Sequence, residues 1–317
     1  MIKLIYKEKN KILFLLLFYL YKYKNKMIAS FENTLKGFDP LTLTELNASA
    51  SFLKRIDTKF LLTQDEFDLI LGDLLKDFRV LEIAWKRIFS YDNVYMDTPD
   101  YFFYNQHQNR EKSRTKIRTR LYKDSDLAFF EYKQKENWIT RKYRYEFPFE
   151  EHGVMTKGKT RFFEWVWQSV YDGQKAPEIT PAIKTQYKRI TLVSKVWEER
   201  LTIDFDIKTI NLREKWEREV DLKNLVIIES KSLSKNCNSL NIIKKHWIKQ
   251  AKSCSKYSLW VIYSWLARKF DTFAETMMKI KEIRLDTLKN RFRKTSLKVI
   301  TYENIKHLNE EHLVLKK

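Results

Sequence analysis

Read only for its hydrophobic and polar positions, the chain changes character near residue 52. From there, short segments alternate at period two, the spacing that puts successive side chains on opposite faces of a strand. RIDTKFLL (55–62) alternates in this way, and Thr63 is placed to cap the helix-like stretch TQDEFDLILGDLL. IFSYDNVYMDT (88–98) predicts a strand ending in an Asp-Thr-Pro-Asp turn. SRTKIRTRLY (113–122), LAFFEYKQK (127–135) and TRKYRYEFPF (140–149) follow, and the gaps DSD and ENW suit antiparallel hairpins. A helix carrying Trp165, Trp167 and Val170 is predicted over 161–171, with strands over 183–193, 198–207 and 225–232. A further helix is predicted near 239–251, then comes SCSKYSLWVIYSWLARKF, and the chain after Phe270 reads as helical and partly basic. About eight strands on short connections, without internal repeats, predict an α+β fold. Its centre is an eight-stranded antiparallel β-barrel decorated by helices.

Composition sharpens this picture. Hydrophobic residues at 44% and aromatics at 15% supply a real core and exclude a disordered polybasic chain. The net charge of +20 calls for an anionic partner. Residues 1–26 carry +6 of it and residues 271–317 carry +4, so +10 remains in 27–270. These boundaries predict an N-terminal extension (1–26), a tunnel domain (27–270) and a basic helical tail (271–317). The apolar run Ile12–Tyr21 is short of the roughly 20 residues a spanning helix needs. It leaves three readings: an interfacial anchor, a poor signal sequence, or an extension upstream of a chain starting at Met27. Two cysteines, Cys237 and Cys254, exclude a disulfide scaffold and a four-cysteine zinc site and fit a cytoplasmic setting. Neither a P-loop nor a dinucleotide fingerprint is present, so any phosphate is held by side chains.

Parity along the strands gathers the charge. Arg55, Asp57 and Lys59 share one face, as do Arg114, Lys116, Arg118 and Arg120. Glu131 with Lys133, Lys142 with Arg144, Tyr187 with Arg189, Arg200 with Asp204, and Glu229 with Lys231 repeat the theme. A charged face is ordinarily the wet side of a sheet. Here Arg and Lys fall on successive strands with few carboxylates, and like charges across a ladder are destabilising unless an anion sits on them. With the opposite faces apolar and covered by helices, the charges point inward. A barrel this size admits a slim polyanion and no duplex, which makes nucleic acid an unfavoured partner. Glu229, in the apolar strand IIESKS, is the leading candidate for a Mg²⁺ or Mn²⁺ ligand, with Asp204 and Glu131 behind it. The alternative for Glu229 is an ion pair with an arginine across the barrel.

Arranged in order, RIDTKF, YMDTPDYFFYNQH with RTKIRTRLY, EYK, KYR, YKR, RLTIDFD, IIESK and SKY resemble the VTC domain, a branch of the triphosphate tunnel metalloenzymes, across roughly Arg55–Tyr257. That resemblance implies an eight-stranded tunnel and ATP-dependent polyphosphate synthesis with a divalent metal, often Mn²⁺. It implies that Lys59, Arg118, Arg120, Lys133, Lys142, Arg189 and Lys256 bind the reacting phosphates, that Tyr187 and Ser255 add hydrogen bonds, and that Glu229 holds the metal. Arg55, Arg114, Lys116, Arg144, Arg200 and Lys231 extend the basic lining. Where the wider superfamily has Glu-x-Glu-x-Lys, this chain has Arg55-x-Asp57-x-Lys59. The difference favours the VTC branch over thiamine-triphosphatase or adenylate-cyclase chemistry. His107 reads as structural or as a rim contact. With no SPX segment or three-helix membrane module recognisable, membrane association is expected to run through a separate membrane protein partner. Tripolyphosphate hydrolysis and non-catalytic polyphosphate binding are the competing functions on the same fold.

Overall fold

The computed structural model describes residues 31–294 except 49–55, 138, 197, 215–218 and 264–269. Eight strands form one hydrogen-bonded path in the order β2-β11-β9-β8-β4-β5-β6-β7, every pair antiparallel. They are β2 (Ile56–Thr63), β4 (Phe89–Asp97), β5 (Ser113–Tyr122), β6 (Leu127–Glu136), β7 (Ile139–Glu146), β8 (Thr180–Ser194), β9 (Glu199–Asn211) and β11 (Leu225–Ser232). Three short strands extend the sheet: β1 (Asp39–Leu41) and β3 (Phe78–Leu81) beside β8, and β10 (Glu219–Leu222) beside β9. The end strands β2 and β7 are not joined by a described ladder. The sheet nonetheless curls. Asp57 and Lys59 of β2 act electrostatically on Lys133 and Lys135 of β6, which lies at the other end of the path. This is the predicted tunnel, its seam unsealed by main-chain hydrogen bonds among the described residues.

Local sequence explains the turns. Asp126 and Asn137, the types that most readily adopt left-handed backbone, do so (φ 50° and 51°) in the β5–β6 and β6–β7 hairpins. Thr63 closes a capping box on α3 (Gln64–Leu74): Thr63 Oγ1 accepts the Glu66 N–H at 3.2 Å, and Glu66 accepts the Thr63 N–H at 2.6 Å. Between β8 and β9 the register shifts around Tyr187, and Asp206 turns left-handed (φ 53°) on the partner strand.

The outer faces carry two apolar cores. On one side Phe60, Leu62, Val226, Ile228, Leu201 and Ile203 meet α3, α6 (Asn238–Lys245) and the helix α1, described over 31–35. On the other side Val94, Met96, Ile117, Phe130 and Tyr132 meet Phe163, Val166 and Trp167 of α5 (Lys157–Val170). Burying Leu- or Phe-sized side chains contributes about 1.5–3 kcal/mol each, so the sheet's outward surface is the main source of cohesion. A third core lies on the inner face. There α7 (Lys256–Tyr263) and α8 (Ala274–Lys294) set Tyr257, Leu259, Trp260 and Ile280 against Leu61, Ile183, Ile207 and Ile227. Part of the inner surface is therefore stoppered by helix, and the remainder is charged. The remaining helices are α2 (Leu43–Ala48) and α4 (Phe102–Gln108), and the helix predicted over 239–251 stops at Lys245. Among the described residues no helix is long and apolar enough to cross a membrane. Residues 1–26 lie outside the described residues.

Candidate functional site: a cation-lined tunnel

Strand register puts the predicted cations side by side. Lys116, Lys133 and Lys142 stand directly opposite one another on β5, β6 and β7. The next row is Arg118–Glu131–Arg144. Residues directly opposite in an antiparallel pair share a face, so both rows line the interior. Each like-charged pair across a ladder costs a few tenths to about 1 kcal/mol.

Three carboxylates hold most of the cations. Glu131, 2% exposed, accepts from Arg118 (2.5 and 2.7 Å), Lys142 (2.6 Å) and Arg144 (3.1 Å), with Arg120 at 3.9 Å. Burial alone would favour its neutral form, but Arg118, Arg120 and Lys142 hold it far below the usual carboxylate range. Desolvation pushes Lys142 down to about 7 despite the pull of Glu131. Asp204 takes a two-pronged contact from Arg189 (2.6 and 2.8 Å) and another from Lys256 (2.5 Å). Burial opposes its charge, yet Arg189 and Lys256 lower it to about 2. Glu229 is shared by Lys59 (3.1 Å) and Lys231 (2.8 Å). Here too burial is outweighed, by Lys231, Lys59 and Lys256, and the carboxyl sits well below its ordinary range. Desolvation brings Lys231 to about 8.

Aromatic side chains wedge between these clusters. The Tyr187 hydroxyl accepts from Arg120 Nη2 at 3.3 Å, and its ring lies under Arg189 (5.2 Å) and Lys256 (5.3 Å). Burial would raise its phenol, but Arg120 and Arg189 bring it below the ordinary value. Tyr91 stacks on Tyr187 and underlies both Arg120 and Arg189 at 5.3 and 4.9 Å. Asn93 accepts from Arg120 Nε at 2.8 Å, and Tyr95 accepts from Arg118 at 3.4 Å. The sequence reading missed Tyr91, Asn93 and Tyr95. The signal was present, because they alternate on the face opposite Asp92 and Val94 in β4.

Not every predicted residue joins a carboxylate. Lys116 and Arg114 have no ion pair among the described residues. Burial first, then Lys133, Lys59, Arg114 and Arg118, push Lys116 well below its usual value. Lys133 keeps contact with water, yet surrounding protein still lowers it, ahead of any help from Glu229. Ser255 immediately precedes α7, where its Oγ accepts the Ser258 N–H at 3.4 Å. Arg200 stands opposite Lys231 in the β9–β11 register. Arg55 lies outside the described residues.

The same geometry ranks the metal-ligand candidates. Asp204 has both oxygens taken by Arg189, and Glu131 serves four cations, so neither has a free carboxylate edge. Among the described residues no three His, Cys, Asp or Glu side chains converge into a cage. A hard divalent ion held largely by substrate phosphates and water needs only one or two carboxylates. Glu229, whose two oxygens each meet a single lysine (Lys59 at 3.1 Å, Lys231 at 2.8 Å) and no arginine, is the least engaged of the three and fits that requirement best.

The VTC domain family matches residues 54–262, about two thirds of the chain. The search of functionally curated proteins gives no match. Solved structures with similarity include a putative adenylate cyclase from Bacillus halodurans (15% identity, 64% of this chain and 95% of that one, TM-score 0.41). The PH1819 protein of Pyrococcus horikoshii matches at 12% identity, 66% of this chain and 99% of its own, with TM-score 0.37. A putative adenylate cyclase from Vibrio parahaemolyticus matches at 10% identity, over 65% and 97%, with TM-score 0.36. At such identities and scores they bear on neither substrate nor reaction. On the family match, this chain belongs to the VTC domain family.

Proposed function

We propose that the chain is an ATP-dependent polyphosphate polymerase that grips a linear phosphate chain along the inner faces of β5, β6, β7, β8 and β2. The observation that carries this reading is the Lys116–Lys133–Lys142 row, three basic side chains directly abreast of which, among the described residues, only Lys142 reaches a carboxylate. A fold tolerates such a row when a polyanion completes it. In the proposed reaction the terminal phosphate oxygen of the growing chain attacks the γ-phosphorus of ATP. The bond from that phosphorus to the β–γ bridging oxygen breaks and ADP leaves. The attacking oxygen is already anionic, so no proton needs to move, which suits a lining of Arg and Lys without a general base. Arg118, Arg120, Arg189, Lys59, Lys133, Lys142 and Lys256 position the phosphates and offset the charge spread over the transferring group. Tyr187 and Ser255 supply neutral hydrogen bonds. A divalent metal, Mn²⁺ or Mg²⁺, would be held by Glu229 together with substrate oxygens, and its chemistry is charge neutralisation.

Solvent access to Lys133, Lys142 and Arg144 favours one competitor, tripolyphosphate hydrolysis, in which water takes the acceptor's place. The test is incubation of purified protein with ATP and Mn²⁺. The polymerase reading expects phosphate polymer, lost in Arg118→Ala and Glu229→Ala. Free phosphate from tripolyphosphate without polymer would replace it with the hydrolase. Binding without turnover across several metals would leave a polyphosphate-binding module.

A further inference from the structure

The rim helix α4 carries a group that the proposed reaction does not use. Phe103 of α4 enters the outer core beside β4 and β5, whereas Tyr104 enters the inner core, so the helix straddles the wall of the tunnel. Asp97 fixes it there by accepting the Phe103 and Tyr104 N–H groups at 2.9 and 3.0 Å. His107, one turn further on, meets β5. Its ring bonds the Thr115 backbone, and its buried Nε2 has no hydrogen-bond partner among the described residues. The Nε–H of Arg114 is likewise buried without an acceptor, and neighbouring Lys116 meets no carboxylate among the described residues. A buried polar group left unpaired costs about 1–3 kcal/mol. Two unpaired groups beside a half-exposed lysine that meets no described carboxylate leave this rim open to an anion.

We propose that His107, Arg114 and Lys116 form a phosphate-binding contact at the tunnel rim, in which the His107 imidazole takes up a proton as the phosphate arrives. The proposal rests on the phosphate-chain reading above. With the rim empty, burial and then the cations Lys116, Arg114 and Lys133 hold the ring well below its ordinary value, so it is neutral near pH 7. The carboxylates on the other elements around α4 act elsewhere: Asp97 on its first turn and Asp271 on Tyr104. On α7, Lys256 is taken by Asp204, and Tyr257 bonds Asp97. A phosphate at the rim reverses the local field. Nε2 then gains a proton from solvent and becomes a charged donor to a phosphate oxygen. Folding the empty site disfavours the imidazolium and binding restores it, so the contribution of His107 to affinity grows as pH falls.

The probe is tripolyphosphate, followed by calorimetry at pH 6.0 and 8.5 and by ¹⁵N NMR of the histidine rings. The His107 signals are those missing from His107→Gln. At pH 6.0 the variant should bind roughly tenfold more weakly than the parent, the loss of one charged hydrogen bond. The gap should close toward pH 8.5, and the comparison cancels the protonation of tripolyphosphate itself. In the parent, saturation should convert the His107 ring from neutral to imidazolium, a readout that does not depend on the variant folding. A ring that stays neutral at saturation, or a gap that is the same at both pH values, overturns the proton-coupled contact and leaves the tunnel reading standing. Absence of any tripolyphosphate binding overturns both.

Discussion

Glu131→Gln removes the counter-ion from the densest part of the tunnel while keeping its shape. In the parent this carboxylate serves Arg118 at 2.5 Å, Lys142 at 2.6 Å, Arg144 at 3.1 Å and Arg120 at 3.9 Å. Deleting one partner of a buried ion pair costs about 3–5 kcal/mol, because the other charge is left uncompensated. Arg144 and Lys142 have side chains 47% and 35% exposed, so water screens their share and the lower end applies. About 3 kcal/mol corresponds to a fall of roughly 6–12 °C in Tm for a domain of this size. A polyanion in the tunnel supplies the missing negative charge. Saturating tripolyphosphate should therefore raise the Tm of Glu131→Gln more than that of the parent and recover most of the deficit. Differential scanning fluorimetry with and without tripolyphosphate measures both numbers. Equal shifts in the two proteins would refute the reasoning, since Glu131 and the phosphate would then not compete for the same cations.

Three further outcomes follow from the same geometry. Lys116→Met relieves a like-charge row, so Tm should rise by a few degrees while tripolyphosphate affinity drops about tenfold or more by calorimetry. Asp204 is held at about 2, below its unfolded value of 3.8, so its stabilisation is present above about pH 4 and is lost as pH falls toward 2. In urea titrations from pH 5 to 2, the stability gap between parent and Asp204→Asn should narrow by up to about 2 kcal/mol. Thr63→Ala opens the capping box of α3 on the outer face and should cost about 1 kcal/mol in urea without changing tripolyphosphate affinity.

Strand parity made much of the site legible. In β5 the alternation of Arg114, Lys116, Arg118 and Arg120 with Thr115, Ile117, Thr119 and Leu121 fixes the wet and dry faces from the text alone, and the outer core contains Ile117 as that alternation requires. The pairing of rows was not legible, because register depends on the hairpins, and only register reveals that Lys116, Lys133 and Lys142 stand abreast. The inner core was hidden for a different reason. Leu259 and Trp260 read as generic apolar text, and only tertiary packing turns α7 into a stopper on the inner face. Short strands such as β3 and β10, four residues each, carry too few alternations to register as a pattern. His107 reads in the sequence as structural or as a rim contact, but its unpartnered Nε2 was not legible there, since it depends on how α4 packs between the outer and inner cores.

The central claim is that the inward cation rows grip a linear phosphate chain, and a crystal soaked in tripolyphosphate tests it most directly. The account predicts phosphates strung along the barrel axis, within hydrogen-bond distance of Lys116, Arg118 and Arg189. Phosphates bound only on the outside, with the interior closed by side chains, would contradict it.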